Sequence, residues 1–170
     1  MSSYPIAPSD FCRDGNVLEG KVLVADLERL SAECTDTTSE IVWKVTGMLD
    51  AFRRPRLLLS VFGNVHLVCQ RCLGTMPYRL VSETAVIVTF SEAEADEIEA
   101  MLEDDDDTEV IVVDGKVDVM NLIEDEALLA LPLSSRHEVC PNGSVGNWTE
   151  KKASPFKVLE KLKRENSNKK

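Results

Sequence analysis

The chain has 170 residues, of which 44% are hydrophobic, 29% charged and 5% aromatic, and its formal net charge is −11. That length suits one domain with its own core and a tail to spare, and a charge of this sign repels polyanions on average, which argues against nonspecific nucleic-acid binding by the whole surface. Five scattered cysteines do not make a disulfide framework, residues 1–15 lack a basic segment followed by an apolar one, and no apolar run approaches the roughly 20 residues that span a bilayer, so a cytoplasmic protein with reduced thiols and no membrane partner is expected.

In chain order, residues 17–24 alternate weakly and read as an edge strand. Ile41, Trp43, Val45, Gly47 and Leu49 share one face of the next strand. Arg53, Arg54 and Arg56 surround Pro55 in the connection to a longer strand, where Leu57, Leu59, Val61, Gly63, Val65 and Leu67 fall on one face with Ser60, Asn64 and His66 opposite. Cys69-Gln-Arg-Cys72 closes that strand, Leu73, Gly74 and Pro77 turn the chain, and Leu80, Thr84, Val86, Val88 and Phe90 resume the alternation. The acidic stretch 92–107 holds ten acids and no base; it is helix-like at first and ends in four successive aspartates whose mutual repulsion predicts a solvated loop.

Residues 109–113 read as a short strand and Asp114-Gly115 as a turn. Asp118 is placed to cap a helix running to about Leu131 and stopped by Pro132, with Val119, Met120, Ile123, Ala127 and Ala130 on one face. Glu126 falls inside that apolar arc, and Glu124 and Asp125 outside it. Glu126 is read as lying at the rim of the buried face, as pairing with an arginine such as Arg71, or as a carboxylate offered to a partner. After the turn-rich stretch 134–150, Ser154 and Pro155 open a basic helix with Phe156, Leu159 and Leu162 on a narrow stripe and Lys157, Lys161 and Arg164 among its cations. The fold class is α+β. A curved antiparallel sheet spans 17–113 and is packed by the 118–131 helix; residues 1–150 form a single domain with an acidic loop at 92–107, and 151–170 form a basic C-terminal helix or tail.

Cys69, Cys72, His137 and Cys140 offer three sulfurs and one nitrogen, a donor set suited to tetrahedral zinc. The same thiols admit two other readings. A Cys-x-x-Cys pair can exchange electrons, although it then sits at a helix N-terminus after a strand, a setting missing here; or the thiols pack as small apolar groups. Arg53, Arg54 and Arg56, with Arg71 and Arg79, make a candidate basic patch, because guanidinium forks match phosphate geometry; the alternative is solvation of a loop and neutralisation of nearby acids. No Ser-His-acid spacing and no glycine-rich phosphate loop is present, so neither an enzyme nor a small-molecule substrate is expected, and zinc is the one cofactor considered.

Three motifs, in this order, carry a resemblance: Leu67-Val-Cys-Gln-Arg-Cys-Leu73; Leu122-Ile-Glu-Asp-Glu-Ala-Leu-Leu-Ala-Leu-Pro132; and Ser154-Pro-Phe-Lys-Val-Leu-Glu-Lys-Leu-Lys163. The chain resembles the YceD family, the large ribosomal RNA subunit accumulation proteins of bacteria and plastids. The resemblance implies a cytoplasmic ribosome-biogenesis factor for synthesis, processing or stability of 23S ribosomal RNA, partnered by precursor 23S RNA or a pre-large-subunit particle, with a ribosomal protein as a further candidate and no catalytic residues to carry over. Some relatives have a second cysteine pair after the helix-ending proline, where this chain has His137 and Cys140, so the resemblance leaves a shared zinc site open. Two other classes remain: an acidic adaptor or chaperone for a basic ribosomal protein, with 92–107 as an RNA mimic, and a nuclease whose site the sequence does not display.

Overall fold

The computed structural model describes residues 3–102 and 108–141. The aspartate run and the C-terminal basic segment, with Lys157, Lys161 and Arg164, lie outside the described residues. The elements are β1 (Pro5–Ile6), α1 (Pro8–Arg13), β2 (Val17–Leu23), α2 (Glu28–Glu33), β3 (Glu40–Leu49), β4 (Pro55–Val68), β5 (Thr75–Thr89), α3 (Glu92–Glu99), β6 (Thr108–Val112), β7 (Val117–Asp118) and α4 (Val119–Leu129). One sheet has the strand order β2-β3-β4-β5-β6, and β1 pairs with β7 in a second, two-stranded sheet. Among the described residues no helix is long and apolar enough to cross a membrane.

The predicted α+β class holds. Period-two alternation places Ile41, Trp43 and Val45 of β3, and Leu57, Leu59, Val61, Val65 and Leu67 of β4, in one core with Leu80, Val86 and Val88 of β5. The last pairing differs from the expected all-antiparallel sheet: β6 runs parallel to β5, with Ile87 opposite Val110, because α3 carries the chain back along the sheet. The first half of the acidic stretch is helix, as its pattern predicts, so the acidic loop does not extend over all of 92–107; buried Ala95 and Ile98 anchor the helix while its carboxylates stay exposed. Phe90 lies beyond the end of β5 and is 49% exposed, so it does not continue the core face.

Helices α1 and α2 come in addition to the expected elements. Pro8 starts α1, where its missing N–H is no loss, and buried Phe11 and Cys12 pack onto the sheet. A Cβ at Gly47 would stand 2.6 Å from Phe11 Cδ1 and 2.8 Å from Phe11 O, so only a glycine in β3 lets α1 lie so close. Helix α2 is short, and Leu27, the residue before it, supplies no side-chain cap.

Helix α4 packs across β4 and β5 and against α2, burying Val119, Met120, Ile123 and Ala127. Asp118 caps it as expected, accepting from Met120 N at 3.0 Å, and also holds the N-terminal strand through Tyr4 N at 3.0 Å. Glu124, expected outside the apolar arc, is 2% exposed. It is paid for by α2: its carboxylate accepts from Arg29 N at 2.7 Å, Leu30 N at 3.2 Å and Arg29 Nε at 3.0 Å, taking the place of the cap that Leu27 cannot provide. Glu126 does not meet Arg71. Its carboxylate accepts from the hydroxyls of Ser82 and Thr84 on β5, the latter at 2.7 Å, so hydrogen bonds to the sheet and not an ion pair satisfy it.

Glu124→Ala strips α2 of its acceptors and leaves Arg29 facing only Asp125. Because Arg29 is half exposed, the full cost of a broken buried pair does not apply, and a loss of about 2–3 kcal/mol is expected. Thermal unfolding should shift down by roughly 5–10 °C for a domain of this size; a shift below about 1 °C would mean that α2 does not depend on this carboxylate.

Candidate metal centre and basic surface

The hairpin of β4 and β5 ends in a tight turn over residues 69–74. Cys69 N donates to Gly74 O at 2.9 Å and Leu73 N to Cys69 O at 2.8 Å, with Leu73 in the left-handed region at φ 58°. The segment that follows α4 returns to this tip. Gln70 N donates to Ser135 O at 2.8 Å, Ser134 Oγ to Gln70 Oε1 at 3.0 Å, and the Arg71 guanidinium to the carbonyls of His137 and Glu138. Proline 132 ends the helix, and these bonds then fix where His137 and Cys140 arrive.

The result gathers all four predicted ligands. The donor atoms of Cys69, Cys72, His137 and Cys140 lie within 4.8 Å of one another, with Cys72 Sγ 3.4 Å from His137 Nδ1 and Cys69 Sγ 3.4 Å from His137 N. A zinc tetrahedron with ~2.3 Å metal–sulfur bonds has edges of about 3.8 Å. The group therefore can hold a metal ion with little inward movement. Cys69 and Cys140 are buried, and Cys72 and His137 half-buried.

The electrostatics suit a thiolate. Burial works against ionisation of Cys69, but the backbone N–H groups of Cys72, His137 and Arg71 turn toward its sulfur and, with the His137 ring, lower its pKa to about 5. Cys140 moves the other way, raised by burial and by its hydrogen bonds to Cys72 and Cys69. Cys69 stands at a strand end before a turn, so the tip lacks the helix N-terminus of a thiol-exchange pair. Cys12 and Cys34 lie elsewhere; burial raises both, and Cys12 Sγ donates to Arg56 O at 3.4 Å.

The five arginines do not form one patch. Arg56 stands at the start of β4, next to Pro55, and Arg71 follows its far end, about 40 Å away along the strand at roughly 3.3 Å per residue. Arg79 pairs in register with Asn64, between the two. Arg54 is tied to Asp50 at 2.6 Å and lies over the Phe52 ring. Burial raises Asp50, but the Arg54 N–H and guanidinium and the Phe52 N–H outweigh it and hold the carboxyl below its usual value. Arg56 donates to Thr108 Oγ1 at 3.0 Å, and its Nε is buried without an acceptor among the described residues. Arg71 serves the tip. Arg53, exposed with φ 64°, and exposed Arg79 form no ion pair among the described residues. Sequence reading recognised the cations but not Asp50, whose hydrogen bonds to Phe52 N and Arg54 N, each 2.8 Å, build the turn that spends Arg54; an aspartate opening a short loop was the available signal.

Comparison with family models gives one match over residues 57–163, to a family described as "Large ribosomal RNA subunit accumulation protein YceD". The matched span is more than half of the 170 residues and contains all four Cys/His residues, so the chain belongs to the YceD family, whose name carries a role in accumulation of the large-subunit ribosomal RNA. Comparisons with curated proteins and with solved structures gave no significant match.

Arg71→Ala should release the returning segment from the tip. Losing charge-assisted bonds on an exposed side chain costs about 1 kcal/mol, equivalent to roughly fivefold faster amide exchange at Gln70 and His137. Unchanged exchange at both amides would show that Arg71 does not hold the tip closed.

Proposed function

We propose that this chain, as a member of that family, is a cytoplasmic, non-catalytic factor that supports accumulation of 23S ribosomal RNA by holding precursor RNA or a pre-large-subunit particle. The family match over 57–163 carries the reading. In this account Cys69, Cys72, His137 and Cys140 hold one zinc ion as a structural clasp. Four protein ligands fill a tetrahedral shell, as in structural zinc sites, whereas catalytic ones keep a position for water or substrate. Bound there, the metal would supply a fixed cross-link between the β4–β5 tip and the segment after α4. Arg71 positions His137 through its carbonyl, and the N–H groups around Cys69 favour the thiolate that a metal requires.

RNA contact falls to the cations left over from internal pairing. Arg53 and Arg79 are exposed and their guanidinium groups form neither an ion pair nor a hydrogen bond to a carbonyl among the described residues, and Lys157, Lys161 and Arg164 add to them from the basic tail. The chain's net charge of −11 keeps weak contacts from becoming general ones. A second reading, an adaptor for a basic ribosomal protein, draws on α3, where Glu92, Glu94, Asp96, Glu97 and Glu99 are exposed and no base is present.

The test is binding to precursor 23S RNA across a salt series. Each phosphate contact contributes about 0.9 to the slope of log affinity against log salt, so Arg53→Ser with Arg79→Ser should lower that slope by roughly 1–2 while leaving thermal unfolding unchanged. Equal slopes for wild type and variant would remove these arginines from the interface, and RNA binding abolished instead by neutralising α3 would favour the adaptor.

A further inference from the structure

Strand β2 closes one side of the five-stranded sheet and, among the described residues, pairs with β3 alone. Gly47 N donates to Asn16 O and Val24 N to Ser39 O, both at 2.9 Å, at the two ends of their pairing. Antiparallel ladders alternate, so residues 18, 20 and 22 face β3 with their N–H and C=O groups, while Val17, Glu19, Lys21 and Leu23 turn theirs to the open side. Among the described residues no strand meets that row. A groove of about 250 Å³ runs along it, floored by Leu18, Leu27, Trp43 and Met120.

Two features of the groove point to a ligand. Trp43 is 4% exposed, yet its Nε1–H has no acceptor among the described residues. Gly20 of β2 lies over it: a Cβ there would be 3.0 Å from the indole ring and 3.5 Å from Nε1, so no side chain of β2 stands between the groove and this donor. The charge is also one-sided. Glu19, Asp26 and Glu40 line the groove against one lining base, Lys21, whose Nζ is 3.2 Å from Glu40, while Glu19 lies 3.9 Å from Lys44 on β3.

We propose that the open edge of β2 accepts an extended, basic segment of a partner protein as a sixth strand, with alternate apolar side chains entering the groove and an oxygen of the segment accepting from Trp43 Nε1. Backbone pairing along 17–23 supplies affinity, and the floor and the carboxylates supply selectivity. The chain's own tail suits the edge poorly, since Phe156, Leu159 and Leu162 recur at helical and not strand spacing. A second copy suits it poorly too, since each brings a charge of −11. This surface is separate from the Cys/His centre and stands or falls without it.

The probe is a blocked peptide Lys-Val-Lys-Val-Lys-Val-Lys, with its Glu-for-Lys counterpart as control, added to the full chain carrying Trp148→Phe so that Trp43 is the sole tryptophan and is excited selectively. The Lys peptide should shift Trp43 emission saturably and bind at least about tenfold more tightly than the Glu peptide. Lys21→Pro removes an outward N–H without touching the β2–β3 ladder, and also removes a repelling charge; it should weaken binding about tenfold, whereas Lys21→Ala should not. On the unmutated chain, saturating peptide should slow amide exchange at Val17, Glu19, Lys21 and Leu23. No protection at those four amides overturns the proposal. So does protection already present without peptide, whether lost on dilution, which would identify a second copy, or independent of concentration, which would identify the chain's own tail.

Discussion

The register of β4 against β5 is the constraint on which the remaining structure depends. Thirteen consecutive pairs, from Arg56 opposite Ile87 to Val68 opposite Thr75, hold two long strands in one alignment. Side chains alternate with a period of two, so a slip of one residue would turn Leu57, Leu59, Val61, Val65 and Leu67 out of the core together. The same alignment places Ser82 and Thr84 beneath Glu126 and Tyr78 Oη 2.9 Å from Ala130 O, which fixes how α4 lies. Because α4 is fixed, the chain leaving it reaches the hairpin tip with His137 and Cys140 already aimed at Cys69 and Cys72.

Much of this could be read from the residues. The core faces of β3 and β4, the cap at Asp118 and the helix it begins follow from alternation and capping chemistry, which act over a few neighbours. The misses are tertiary. Nothing local tells that β6 joins β5 in parallel, since that depends on α3 returning the chain along the sheet. Glu124 looked solvated on a helical wheel because the wheel contains α4 alone; α2, which supplies two backbone N–H groups and Arg29, lies 95 residues away in sequence. Glu126 falls in the apolar arc of the wheel, but the wheel does not show its partners: hydroxyls two strand positions apart satisfy a carboxylate as well as a guanidinium does.

The site divided in the same way. Cys-x-x-Cys and the His137/Cys140 pair named the four donors, and the structure brings them together. The arginines were legible as charges but not as free charges, because Asp50, Thr108 and the carbonyls after Arg136 engage Arg54, Arg56 and Arg71. An acidic protein can keep only a few cations unspent, and here the fold decides which ones. Arg53 escapes because the Asp50 turn points it outward at positive φ, and Arg79 because it sits on the uncovered face of β5.

The central claim is that the hairpin tip and the segment after α4 meet as one four-ligand centre. X-ray absorption at the zinc edge, on full-length protein purified without a histidine tag, tests it most directly. The account predicts one zinc per chain surrounded by three sulfurs at ~2.3 Å and one nitrogen at ~2.0 Å. A metal-free protein, or zinc bound by oxygen and nitrogen alone, would contradict it.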